Sequence, residues 1–155
     1  MAVKKWTYQE KAERLVKLVE IAEKVVTEST SFPQQIIKPM LAMCVLTRNN
    51  ALNPEPQFKS VVSLKYSESD FLVYWNESGG YDTELFWNEV AKSNLNFVRK
   101  DTIKDVLTRK RINNIHEFDI ITDSLVPAEQ LGRITSDEAR QLGEYLEKYE
   151  AKRRK

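Results

Sequence analysis

One cysteine, one histidine and four glycines are all this chain has of the residues that most often build reactive or phosphate-binding sites. Cys44 alone permits no internal disulfide and no cysteine-cluster metal site. With His116 as the only imidazole, an ordinary zinc site lacks ligands. The run HEFDI at 116–120 starts like the zinc-protease motif H-E-x-x-H, but the second histidine is missing. Four glycines leave no GxxxxGK[ST] and no GxGxxG, and the adjacent pair Gly79–Gly80 reads as a turn that needs positive φ.

An excess of one charge is missing as well. The formal net charge is +1, so no global field draws nucleic acid or an anionic membrane, and any such binding has to come from a local patch. No apolar run approaches the roughly 20 residues that cross a bilayer. The charged stretch MAVKKWTYQEKAER has no apolar run behind it, so no signal peptide is expected, and the expected location is cytoplasmic.

What the chain does have is 41% apolar and 30% charged residues, enough for one packed core under a mixed-charge surface. The expected organisation is a single domain, 1–155, with a frayed basic tail at 151–155. The expected fold is α+β and predominantly helical: five to six helices with a small antiparallel β-hairpin inserted mid-chain.

Thr7 and Glu10 match a capping box, and Tyr8, Ala12, Leu15, Val19, Ala22 and Val26 follow at alternating spacings of four and three. That predicts a first helix ending near 27–30. Leu18, Ile21 and Val25 widen its apolar surface. Leu18 and Val25 are taken as surplus to the core and therefore as interface candidates.

In PQQIIKPMLAMCVL the rows Ile36–Met40–Cys44 and Ile37–Leu41–Val45 predict a buried helix that starts or kinks at Pro39. RNNALNPEPQ is a breaker. Beyond it, KSVVSLKY and FLVYW are rich in β-branched and aromatic residues and are joined by SESD, which predicts the hairpin over residues 59–75. Alternation on a strand sends Tyr74 and Trp75 to opposite faces, so one of them is an exposed interface candidate. Asp82 is expected to cap a helix over 83–92, with Tyr81 stapled onto Phe86.

The sharpest feature is residues 97–126. Asp101 caps a helix carrying Ile103, Val106 and Leu107. Residues 111–114 break it, and Asn114 with Glu117 starts a second helix carrying Ile115, Phe118, Thr122 and Leu125. Residues 127–131 read as a separate turn stopped by Gly132. A second capping box, Thr135 with Glu138, opens a last helix with Ala139, Leu142, Leu146 and Tyr149 on one side.

Arg99, Lys100, Lys104, Arg109, Lys110 and Arg111 form a basic cluster beside Glu117, Asp119 and Asp123. The helix pair has helix-turn-helix spacing, which makes these six cations the nucleic-acid candidates. The acidic residues on the would-be reading helix oppose entry into a phosphate-lined groove and instead offer the cations internal partners. Asp119 and Asp123, four apart on one helical face, are placed to share a divalent metal, and such pairs are ordinary on solvated helices.

No catalytic, cofactor-binding or metal-ligating residue is assigned, no cofactor is expected, and nothing locates a nucleophile for His116. The expected function is a small protein–protein interaction module, a subunit or adaptor without catalysis of its own. Its partner is another protein or a second copy, and no membrane is involved. The alternative is a nucleic-acid-binding accessory protein that uses the basic helix 99–111 and the KRRK tail.

Overall fold

The computed structural model describes residues 5–154, and every described regular element is helical. The order is α1 (Tyr8–Glu28), α2 (Gln34–Leu52), a 3₁₀ turn at Pro56–Phe58, α3 (Val61–Glu77), α4 (Tyr81–Lys92), α5 (Thr102–Arg109), α6 (Ile115–Gln130) and α7 (Ser136–Arg153). The chain divides into two compact units. The first comprises residues up to Tyr74 together with Glu89–Phe97; the second comprises Trp75–Asn88 and everything from Val98 onward.

In the first unit, Thr7 Oγ1 accepts from the Glu10 backbone N–H and opens α1. Ala12, Leu15, Val19, Ala22 and Val26 are buried, as their spacing predicts, and so are Leu18 and Val25. Helix α2 packs along α1. The Ser29 side-chain oxygen accepts from the N–H groups of Ser31 and Phe32 in the connection, and Tyr8 donates to the Ala51 carbonyl.

The remaining link of this unit is held by Arg14. Its Nε donates to Leu95 O at 2.6 Å, its Nη2 to Asn96 O at 3.0 Å and its Nη1 to Glu68 at 3.1 Å. The guanidinium lies 3.7 Å from the centre of the Phe97 ring. Asn94 and Asn96 adopt φ of +58° and +62° here, a conformation asparagine tolerates better than most residues.

The expected β-hairpin does not exist, and the α+β class is corrected to all-helical among the described residues. Residues 61–77 form one helix whose buried side chains, Leu64, Phe71, Leu72 and Trp75, recur at helical spacing. Ser60 starts it, accepting from the Ser63 N–H. SESD is not a turn but its middle turn, where Glu68 meets Arg14. Strand propensity in Val61, Val62, Tyr66 and Val73 is weak beside this one-sided burial, so tertiary packing prevails.

The second unit has its core at Ile103, Val106, Ile112, Ile121, Ala128, Ile134 and Leu142, from α5, α6, α7 and their connections. Asp101, Asn114 and Thr135 cap those helices as their sequence positions predict, the last in a complete capping box. Lys110 ends α5 in the left-handed region at φ +65°.

Several boundaries differ from the sequence reading. Helix α2 begins at Gln34, ahead of Pro39, and runs on to Leu52 through residues 48–52 of the expected breaker; α6 runs through Pro127 to Gln130, so residues 127–131 are not a separate turn. Helix α4 starts at Tyr81, which places Asp82 in its first turn and not at the cap.

Gly80 takes φ +119°, the positive value its turn needs. Gly79 serves close approach: a Cβ there would lie 2.5 Å from Ser124 Oγ and 2.9 Å from the Ile120 carbonyl. Residues 151–153 belong to α7; residues 1–4 of the charged N-terminal stretch and Lys155 of the basic tail lie outside the described residues.

Candidate functional site

The basic cluster separates into a paired and an open half. Arg99 donates through both Nη atoms to Glu84, at 3.2 Å each. Lys100 Nζ lies 3.1 Å from Glu77 Oε1, and Arg109 Nη2 lies 2.8 Å from Glu117 Oε2. Lys104, Lys110 and Arg111 stay exposed, as do Asp119 and Asp123. The internal neutralisation read from the acidic neighbour is therefore realised at Glu117, with two further acids, Glu77 and Glu84, that the sequence did not connect to the cluster.

Glu84 sits 1% exposed between two arginines. Arg133 adds Nε and Nη2 bonds to it and an Nη1 bond to Asp101. Burial works against the charge of both arginines. At Arg133 the bonds to Glu84 and Asp101 outweigh burial and raise the pKa; at Arg99 burial and the neighbouring Arg133 charge prevail and lower it. His116 Nε2 lies 2.6 Å from the other oxygen of Glu77. The Lys100 and His116 bonds hold that carboxyl below the usual range.

The interface candidates do not gather on a surface. Leu18 and Val25 are core residues at 0% and 4% exposure. Trp75 is 2% exposed, stacked 4.1 Å from Phe86, with its carbonyl accepting from Trp87 Nε1. Tyr74 is partly exposed and lies 6.2 Å from the Phe32 ring. Because α3 is a helix, the two neighbours diverge by about 100° and not by strand alternation.

Two features of the first unit were missed. The outward face of α2 carries Ala42, Val45, Leu46, Asn49 and Leu52, with Val45 48% and Leu46 55% exposed. Only Cys44, Thr47 and Ala51 of this helix are buried, so the expected buried helix is buried on one side only. The signal was available: the Ile36–Met40–Cys44 row points inward, while the second row drifts outward and reaches solvent at Val45.

The other feature is a groove of about 710 Å³ between Tyr8, the end of α2, the 54–58 connection and the start of α3. Phe58 and Tyr66 stand exposed at it, Leu64 forms part of its wall, and Asn50, Asn53, Ser67 and Glu55 supply its polar groups. Its volume is that of a ligand-sized pocket, ~300–1,000 Å³. Among the described residues, the side-chain amides of Asn50 and Asn53 have no hydrogen-bond partner.

No three metal-capable side chains converge among the described residues, and no described helix is long and apolar enough to cross a membrane. The chain matches no family model, no curated protein and no solved structure, so its own geometry carries the functional argument.

Proposed function

We propose that this chain is a cytoplasmic protein–protein interaction module, a subunit or adaptor that contacts its partner through the outward face of α2 and catalyses nothing itself. The observation that carries this is the exposure of Val45 and Leu46 inside a stretch, Pro39–Thr47, that contains no charged residue. Exposed apolar surface free of charge is characteristic of the core of a lasting interface, where water is excluded and an unpaired ion is costly.

Charge complementarity defines the occupant. Helix α2 contains Lys38 and Arg48 and no acidic residue, and Arg48 already pairs with Glu23. Two copies joined through this face would find no acidic residue on α2 to meet Lys38. A different protein that presents an apolar helix flanked by carboxylates fits the face; a second copy does not.

The test compares tagged wild type with Leu46→Asp, an exposed position whose change leaves the melting temperature in place. A stoichiometric protein partner recovered with wild type and lost from the variant is expected. Retention of the same partner by Leu46→Asp overturns the assignment of this face. Self-association of the purified chain that Leu46→Asp abolishes replaces the outside partner with a second copy.

The nucleic-acid reading is weakened by the pairing of Arg99, Lys100 and Arg109 with acids. Binding of mixed-sequence DNA or RNA with a steep salt dependence, lost in Arg109→Ala/Arg111→Ala, would put nucleic acid first.

A further inference from the structure

We infer that the groove beside Tyr8 binds an extended, proline-rich segment of another protein that carries a basic residue. The groove is a different surface from the outward face of α2, so this goes beyond the reading above and can fail or stand separately from it.

Hydrogen-bonding balance separates the possible occupants. Asn50 and Asn53 bring amide N–H donors to the groove with no partner of their own among the described residues. A helical ligand meets them less well, because most of its carbonyls already accept a bond within the helix. A polyproline II segment is their complement: it has no internal hydrogen bonds, its carbonyls are free, and proline offers no competing N–H.

Shape and charge point the same way. Phe58 and Tyr66, 57% and 69% exposed, line the groove, and proline rings pack against aromatic side chains in peptide grooves of this kind. The extended segment is stiff before it binds, so little conformational entropy is lost on docking. Among the described residues, Glu55 is the only charged one lining the groove. Gln57 occupies its Oε2 at 2.8 Å, which leaves Oε1 to meet a lysine or arginine of the ligand. Among the described residues the lining contains no cation, so a phosphate backbone or an acidic peptide finds no counter-charge in it and faces the Glu55 carboxylate.

The experiment titrates the ¹⁵N-labelled full chain with a fluorescein-labelled proline decamer ending in arginine, followed by anisotropy and by the side-chain amide resonances of Asn50 and Asn53. Saturable binding with displacement of those amide signals is expected. Phe58→Ala and Tyr66→Ala are exposed changes that leave the fold intact, and each should weaken binding about tenfold. Glu55→Gln should reduce the affinity to that of the decamer without arginine. Leu46→Asp should leave binding unchanged, which distinguishes failure of the α2 face from failure of the groove. Unshifted Asn50 and Asn53 amides at millimolar peptide, binding indifferent to Phe58→Ala and Tyr66→Ala, or tighter binding of an amphipathic helical peptide would each overturn the assignment.

Discussion

Arg133 holds Glu84 through two parallel hydrogen bonds, Nε to Oε2 at 2.6 Å and Nη2 to Oε1 at 2.8 Å. Arg99 reaches the same carboxylate from α4's far neighbour in sequence, the segment before α5. The bidentate geometry suits the planar guanidinium, and a lysine at either position would lose half of it. One buried acid thus ties together three stretches of the second unit that are distant in sequence.

Glu84→Gln should therefore be among the most damaging single changes. It leaves two largely buried guanidinium groups without their counter-charge, which costs about 3–5 kcal/mol when one partner of a buried pair is removed. Urea unfolding measures this; a loss under about 1 kcal/mol would place the network with ordinary surface pairs.

Acid should loosen the same unit. At Asp101 burial raises the pKa, but the Arg133 bond and charge, the Lys104 backbone N–H and Arg99 outweigh it and set the folded value below the usual carboxylate range. A depressed folded value means that the stabilisation is fully present above the unfolded pKa, ~4, and is lost as pH falls through the folded one. Unfolding midpoints should drop below pH ~4 in wild type. In Asp101→Asn the drop should be shallower and the stability near neutrality lower.

Gly79→Ala should destabilise the second unit by about 1–3 kcal/mol through overpacking against α6. A double-mutant cycle with Ser124→Ala reads the contact directly. Removing Ser124 Oγ relieves the 2.5 Å approach but not the 2.9 Å approach to the Ile120 carbonyl, so rescue should be partial. Full rescue would show that the backbone of α6 yields.

Trp75→Ala and Tyr74→Ala should differ sharply although the residues are adjacent. Loss of buried Trp75 and its Phe86 stack should cost about 3–5 kcal/mol, whereas Tyr74→Ala should cost far less. Equal losses in thermal unfolding would contradict the one-sided burial of α3.

Burial pushes the Cys44 thiol up to about 11, so little thiolate exists at pH 8. Labelling with a disulfide reagent should be slow in the folded chain and accelerate in step with unfolding by urea. Rapid labelling of the native protein would show that α1 and α2 separate readily.

Local chemistry was legible where one residue acts on its own neighbours. Thr7, Asp101, Asn114 and Thr135 each offer a side-chain oxygen to an N–H three residues on, a contact that needs no tertiary structure. The seam of α1 and the α5–α6 break were legible for the same reason. Residues 59–75 were not, because Val, Tyr and Trp fit a strand or a half-buried helix equally well in isolation. Only packing of Leu64, Phe71, Leu72 and Trp75 on one side chose the helix. Likewise the periodicity of α1 showed that Leu18 and Val25 were apolar but not whether anything covered them, and the structure buries both. The partner of Arg99 lies 15 residues away and that of Arg133 lies 49 residues away. Side-chain pairing over such separations has no period in the sequence, so the charge network and the groove at Tyr8 belong to the tertiary structure alone.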